Sequence, residues 1–163
     1  MTAFKHVLVP TDFGEAANHA LDVAMVLATK FEAKLTLMHA YTIPYASYGY
    51  GDGLLWPVDD LSRAAKAELD GALRKAKERY PKTEGVLVCG EPWHQILETA
   101  KACGADLIVM GTHGRRGFSR VFLGSVAEKV VRLSPVPVLT VSSKEDQQAK
   151  EKVVAESGTA TKR

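Results

Sequence analysis

Cysteine is scarce: the chain has two in 163 residues, too few for a disulfide framework. Cys89 falls in an expected strand and Cys103 near an expected helix end, with no C-x-x-C spacing, so both read as reduced, mostly packed thiols. An excess of either charge is missing as well. Lys and Arg number 21 against 19 Asp and Glu, a net charge of +2, which gives no general basic field for nucleic acid or an anionic membrane. No run approaches the ~20 apolar residues needed to span a bilayer. Met1 to His6 lead straight into an apolar segment and leave no room for a signal peptide, so a cytoplasmic location without a membrane partner is expected.

Several catalytic signatures are also absent. His6, His19, His39 and His94 are scattered without metal-ligand spacing and read as ordinary surface or packing residues, so no metal ligands are assigned. Asp59 and Asp60 read as the acidic opening of a helix, where negative charge complements the dipole, rather than as paired catalytic carboxylates. No Ser/His/Asp or Cys/His set can be assembled, and no catalytic residue is assigned. After the first apolar run stands Pro10, Thr11, Asp12, Phe13, Gly14, which is neither G-x-x-x-x-G-K-S/T nor G-x-G-x-x-G. A P-loop NTPase or an ordinary NAD enzyme is disfavoured.

What is present is alternation. With 46% apolar residues the length suits one domain with a sizeable core, and apolar runs alternate with segments of helical period, the signature of βαβ units and a parallel sheet. Strands are expected at about 5–11, 34–41, 84–90, 105–111 and 136–142, each nearly continuously apolar, as strands covered on both faces should be. A helix over about 14–31 places Ala20, Val23, Ala24, Leu27 and Phe31 on one stripe. A second over about 58–80 does so with Leu61, Ala65, Leu69, Ala72, Leu73 and Ala76. A third begins at Pro92, buries Ile96, Leu97 and Ala100, and ends at Gly104. A fourth begins at Ser125 and carries Val126, Val130 and Leu133. The glycine- and aromatic-rich connection 42–57 reads as a functional lid or as an insertion without a role. The polar segment 143–163 reads as a disordered tail outside a domain spanning 1–142.

The most informative segment follows the fourth strand. Gly111, Gly114, Gly117 and Gly124 allow close backbone approach, Arg115, Arg116 and Arg120 bring positive charge, and Ser125 opens a helix, an arrangement that can hold phosphate. Ser125 also reads as the cap of a capping box with Glu128, and Asp12 as a cap for the first helix. His113 could bond phosphate, act in acid–base chemistry, or be a solvent-facing loop residue.

The spacing Gly-x2-Gly-x9-Gly-Ser, with the opening His6 to Asp12, the run Gly104 to Gly111 and the closing Ser134 to Leu139, closely resembles the ATP-binding branch of the universal stress protein family over about residues 3–142. The resemblance implies a Rossmann-like α/β fold, an open parallel five-stranded sheet of order 3-2-1-4-5 with helices on both faces. It implies ATP as ligand, with Mg²⁺ optional, and a homodimer formed through the last strand. Pro10, Thr11 and Asp12 would face one crevice with Gly111, Thr112, His113 and Gly114. Asp12 and the end of strand two near His39, Ala40 and Tyr41 would meet the adenosine, and Gly114, Gly124, Ser125 and Val126 the phosphates, with Arg115 and Gly117 beside them. A stress-response or regulatory role with slow or absent hydrolysis is the expectation. A nucleotide hydrolase or transferase, and an interaction module that binds no nucleotide, stand as alternatives; the protein partner is not indicated.

Overall fold

The computed structural model describes residues 3–43, 58–113 and 123–143. The elements run β1 (His6–Pro10), α1 (Glu15–Phe31), β2 (Lys34–Tyr41), α2 (Val58–Arg79), β3 (Thr83–Cys89), α3 (Pro92–Cys103), β4 (Leu107–Gly111), α4 (Ser125–Leu133) and β5 (Val138–Val141). Each expected strand and helix is present, with ends shifted by a residue or two. The last strand starts later than its apolar pattern because Ser134 closes a local turn, its hydroxyl bonding both the carbonyl and the N–H of Val136. Pro137, which has no N–H, contributes only its carbonyl to Ile108.

The sheet is parallel at every pairing and ordered β3-β2-β1-β4-β5, so the expected Rossmann-like topology holds. β1 is central, with Val7 set against Leu35 and Leu107, and the direction of winding reverses between β1 and β4. Alternation of side chains across the pleat divides the core in two. Val7, Val9, Leu35, Leu37 and Val109 pack with α1 and α2, while Leu8, Met38, Ile108 and Met110 pack with α3 and α4. Leu8, Leu35, Leu37, Met38 and Ile108 are wholly buried, each contributing roughly 1.5–3 kcal/mol of transfer free energy. Helix α1 presents its smallest residues to the sheet, Ala16, Ala17, Ala20, Ala24 and Ala28 being buried, which lets helix and strands approach closely.

Three expectations are corrected at the margins. The edge strands are not covered on both faces, since Glu84 and Gly85 of β3 are exposed along with Leu139 of β5. Cys89 is exposed rather than packed, because it ends an edge strand, and Cys103 is half-buried. Leu133 is 49% exposed instead of joining the core; it ends α4 after Val130 has made the last deep contact. Among the described residues no helix is long and apolar enough to cross a membrane.

Candidate site at the carboxyl edge of β1 and β4

In an open α/β sheet a crevice forms beyond the strand ends where winding reverses. Here it is a cavity of about 390 Å³ lined by Pro10, Thr11 and Asp12 after β1, by Gly111, Thr112 and His113 after β4, and by Gly124, Ser125 and Val126 at the start of α4. That volume suits a small ligand. Ala40 of β2 also lines it. The expected convergence of the β1 and β4 ends is therefore observed. Gly114, Arg115, Arg116, Gly117 and Arg120 lie outside the described residues, as do the connection 44–57 and the tail 144–163.

Local geometry explains the placement. At the β1 exit the Thr11 N–H is bonded to the Met38 carbonyl at 2.8 Å, which extends the β1–β2 ladder by one step. The next N–H groups turn to side chains: that of Phe13 donates to Thr11 Oγ1 and that of Gly14 to Asp12 Oδ1, both at 2.9 Å. These Asx- and hydroxyl-closed turns carry the chain round into α1. Asp12 is thus a turn residue two positions before the Gly14 cap, not itself the cap of α1.

At the β4 exit Thr112 is a junction. Its N–H donates to Val141 O at 2.9 Å, its carbonyl accepts from Gly124 N–H at 2.8 Å, and its hydroxyl lies 3.0 Å from His113 Nδ1. The chain leaves at Thr112 and returns to it at Gly124, which sets the start of α4 over the end of β4.

The capping box is corrected. Gly124, with φ −60° and ψ 151°, is the cap residue; Ser125 is the first helical residue and no side chain caps the helix. The reciprocal bond pattern requires Ser at the cap and Glu at the third position, and Glu128 lies one step too far. Its N–H instead closes the first helical turn on Gly124 O at 2.8 Å. Ser125 is exposed, and the leading N–H groups of α4 have no intrahelical partner, an arrangement that favours an anion.

Two other candidates change meaning. Gly111 lines the cavity, but a Cβ there would fall 2.9 Å from the carbonyl carbon and Cβ of Ala16 and 3.0 Å from Ala17 N, so its small size is demanded by α1. His39 is absent from the cavity lining. Its Nδ1 bonds Thr11 O at 2.7 Å on the opposite face of β2 from Met38 and Ala40. His6 and His19 are packing residues, bonded to Cys103 O and Thr36 Oγ1 and to Ser142 O respectively.

The apolar wall was not anticipated. Met38, Met110, Pro92, Ile96, Ala17 and Ala127 complete the lining. The signal was available in the topology: residues at the carboxyl ends of strands and in the first turns of helices share this edge, which places Pro92 and Ile96 of α3 beside it.

Comparison with known proteins accords with this geometry. The model of the universal stress protein family matches residues 3–142. Universal stress protein YxiE of Bacillus subtilis is 34% identical over 146 residues, covering 85% of this chain and 99% of the relative. The solved structure of MJ0577, from Methanocaldococcus jannaschii, aligns with a TM-score of 0.75 at 28% identity, covering 88% of this chain and 99% of the other. A universal stress protein solved in complex with cAMP aligns with a TM-score of 0.62 at 28% identity, over 86% of this chain and 98% of the other.

Proposed function

The chain belongs to the universal stress protein family, and we propose that it is a cytoplasmic regulatory protein that binds adenine nucleotide, ATP in particular, in the cavity beyond β1 and β4. The observation that carries this reading is the uncapped α4 N-terminus opening on a cavity whose far wall is apolar. Backbone donors suit phosphate, and Met38, Ala40, Ile96 and Met110 suit a base. In this reading Asp12 meets the ribose, and Gly114, Gly124, Ser125 and Val126 meet the phosphates, with His113, Arg115 and Gly117 alongside. The relative bound to cAMP supports the adenine nucleotide class. Mg²⁺ assists at most, since N–H groups already offset phosphate charge.

Binding rather than turnover is the expected activity. Asp12 and His113 are the titratable side chains among the described lining residues, and rapid phosphoryl transfer needs more than these. One observation favours slow hydrolysis as a second reading: the Thr112 hydroxyl at His113 Nδ1 holds an imidazole at the cavity. Metal-dependent ATP loss above the uncatalysed background would establish it. Among the described residues no strand pairs with the outer side of β5, and the exposed Val131, Leu133 and Leu139 support pairing of two chains through that strand.

Native mass spectrometry followed by denaturation tests both proposals. The expected result is a dimer that releases an adenine nucleotide. A strict monomer at micromolar concentration overturns the dimer, and failure to carry or take up adenine nucleotide at millimolar concentration overturns the ligand.

A further inference from the structure

We infer that His39, on the face of the sheet opposite the cavity, is a positioning residue that sets Asp12 for its ligand by bracing the β1–α1 turn from behind. The turn contains a backbone conformation that has to be held. Phe13 has φ of +63°, a left-handed value costly for a bulky residue, and it lies immediately after Asp12. His39 engages that turn twice. Its Nδ1 is 2.7 Å from Thr11 O; a carbonyl only accepts, so Nδ1 carries the hydrogen. Its ring also packs on the Phe13 ring, with centroids 4.5 Å apart and planes at 44°.

These two contacts flank Asp12 on either side in the chain. They act together with the Phe13 N–H to Thr11 Oγ1 and Gly14 N–H to Asp12 Oδ1 bonds, which persist only while the left-handed turn does. Asp12 lines the cavity, while His39 and Phe13 do not. A half-buried imidazole near the carboxyl end of β2, where an apolar residue would serve packing alone, is accounted for by this second task.

The inference rests on the proposed nucleoside site for its effect on binding, and on the turn alone for its effect on structure, so the experiment reads both. Hydrogen exchange of the Phe13 and Gly14 amides is compared in the parent, His39→Ala and His39→Asn. Binding of adenosine and of 2′,3′-dideoxyadenosine is titrated calorimetrically in the same three proteins.

His39→Ala is expected to lose protection at Phe13 and Gly14 while amides of β1 and α1 keep theirs. It should bind adenosine about tenfold more weakly and dideoxyadenosine within twofold of the parent, because only a ribose with hydroxyls uses Asp12. His39→Asn, whose amide N–H can stand in for Nδ1–H, should restore most of both. Parent-like protection at Phe13 and Gly14 in His39→Ala overturns the brace, whether or not any nucleoside binds. Equal weakening of both nucleosides overturns the link to Asp12. If the parent takes up neither these nucleosides nor ATP, the proposed function fails, and amide protection alone decides on the brace.

Discussion

The two edges of the sheet are finished in opposite ways. At the amino edge helix ends are closed: Glu32 and Gly104 take left-handed conformations that return N–H groups to carbonyls at the ends of α1 and α3. Side chains there are saturated as well. His6 spans Cys103 O and Thr36 Oγ1, Asp106 accepts the N–H groups of Lys5 and His6, and the Tyr80 hydroxyl lies near the carbonyls of Ala28 and Ala33. At the carboxyl edge none of the three described helix starts, at Gly14, Glu91 and Gly124, has a side-chain cap. First-turn N–H groups have no intrahelical partner and are useful to an anionic ligand. Under the proposed function, the contrast divides an edge given to stability from one given to binding.

If that contrast is right, substitutions should separate the two properties, with one planned exception. Gly111 stands at the binding edge but serves packing, so Gly111→Ala drives a Cβ into the backbone of α1 and should cost about 3 kcal/mol of stability, as overpacking does. Urea denaturation checks this. A parent-like midpoint would mean that α1 yields freely, and Gly111 would then return to the ligand side.

Next in size is Gly124→Val. The cap conformation of Gly124 is extended and open to any residue, so the fold should survive, with about 1 kcal/mol lost because Val is a poor N-cap residue. A branched side chain at the entry to α4 should nonetheless hinder phosphate approach. Loss of two contacts would weaken ATP binding about a hundredfold, near 2.7 kcal/mol. Calorimetry alongside circular dichroism separates the effects, and parent-like affinity in a folded variant would remove α4 from the site.

The sequence made the fold legible because doubly covered strands and amphipathic helices leave different periods, and both periods are strong here. It made half of the site legible, since the glycine spacing points to the β4 exit and the topology brings β1 beside it. Other features were hidden for physical reasons. A strand apolar on both faces carries no period-two signal, so nothing local showed that Met38 and Ala40 face the cavity while His39 faces away. Ser125 and Glu128 match a capping box by spacing alone, but Gly124, pinned to Thr112, takes the cap position one residue earlier. Leu133 and Cys89 follow apolar patterns to elements that simply end before the core does.

Asp106 tests the closed edge. Its carboxylate holds two N–H groups at 2.8 and 3.0 Å, and Asp106→Ala would remove both charge-assisted bonds, leaving the part-buried His6 N–H without its partner and costing about 2 kcal/mol. Nucleotide affinity should stay within twofold, because the change lies at the far end of the strands. A comparable loss of affinity in the folded protein would show that the edges are coupled and that the division drawn between them fails.

Tyr80 gives the smallest effect and the most specific signature. Its hydroxyl is 2.6 Å from Ala33 O and 3.2 Å from Ala28 O, and Tyr80→Phe should cost about 1 kcal/mol near neutral pH. Burial, followed by the Glu32 carboxylate, raises the Tyr80 pKa above its ordinary value. The unfolded chain therefore gives up this proton first, at about pH 10. The contribution of the protonated phenol is complete below that pH and is lost as pH climbs through the raised value of the folded protein. The stability difference between the parent and Tyr80→Phe should accordingly be constant from pH 7 to 9 and shrink above 10, with nucleotide affinity at pH 8 the same in both. A difference that stays constant, or widens, above pH 10 would mean that the phenol is not held in its neutral form at the closed edge.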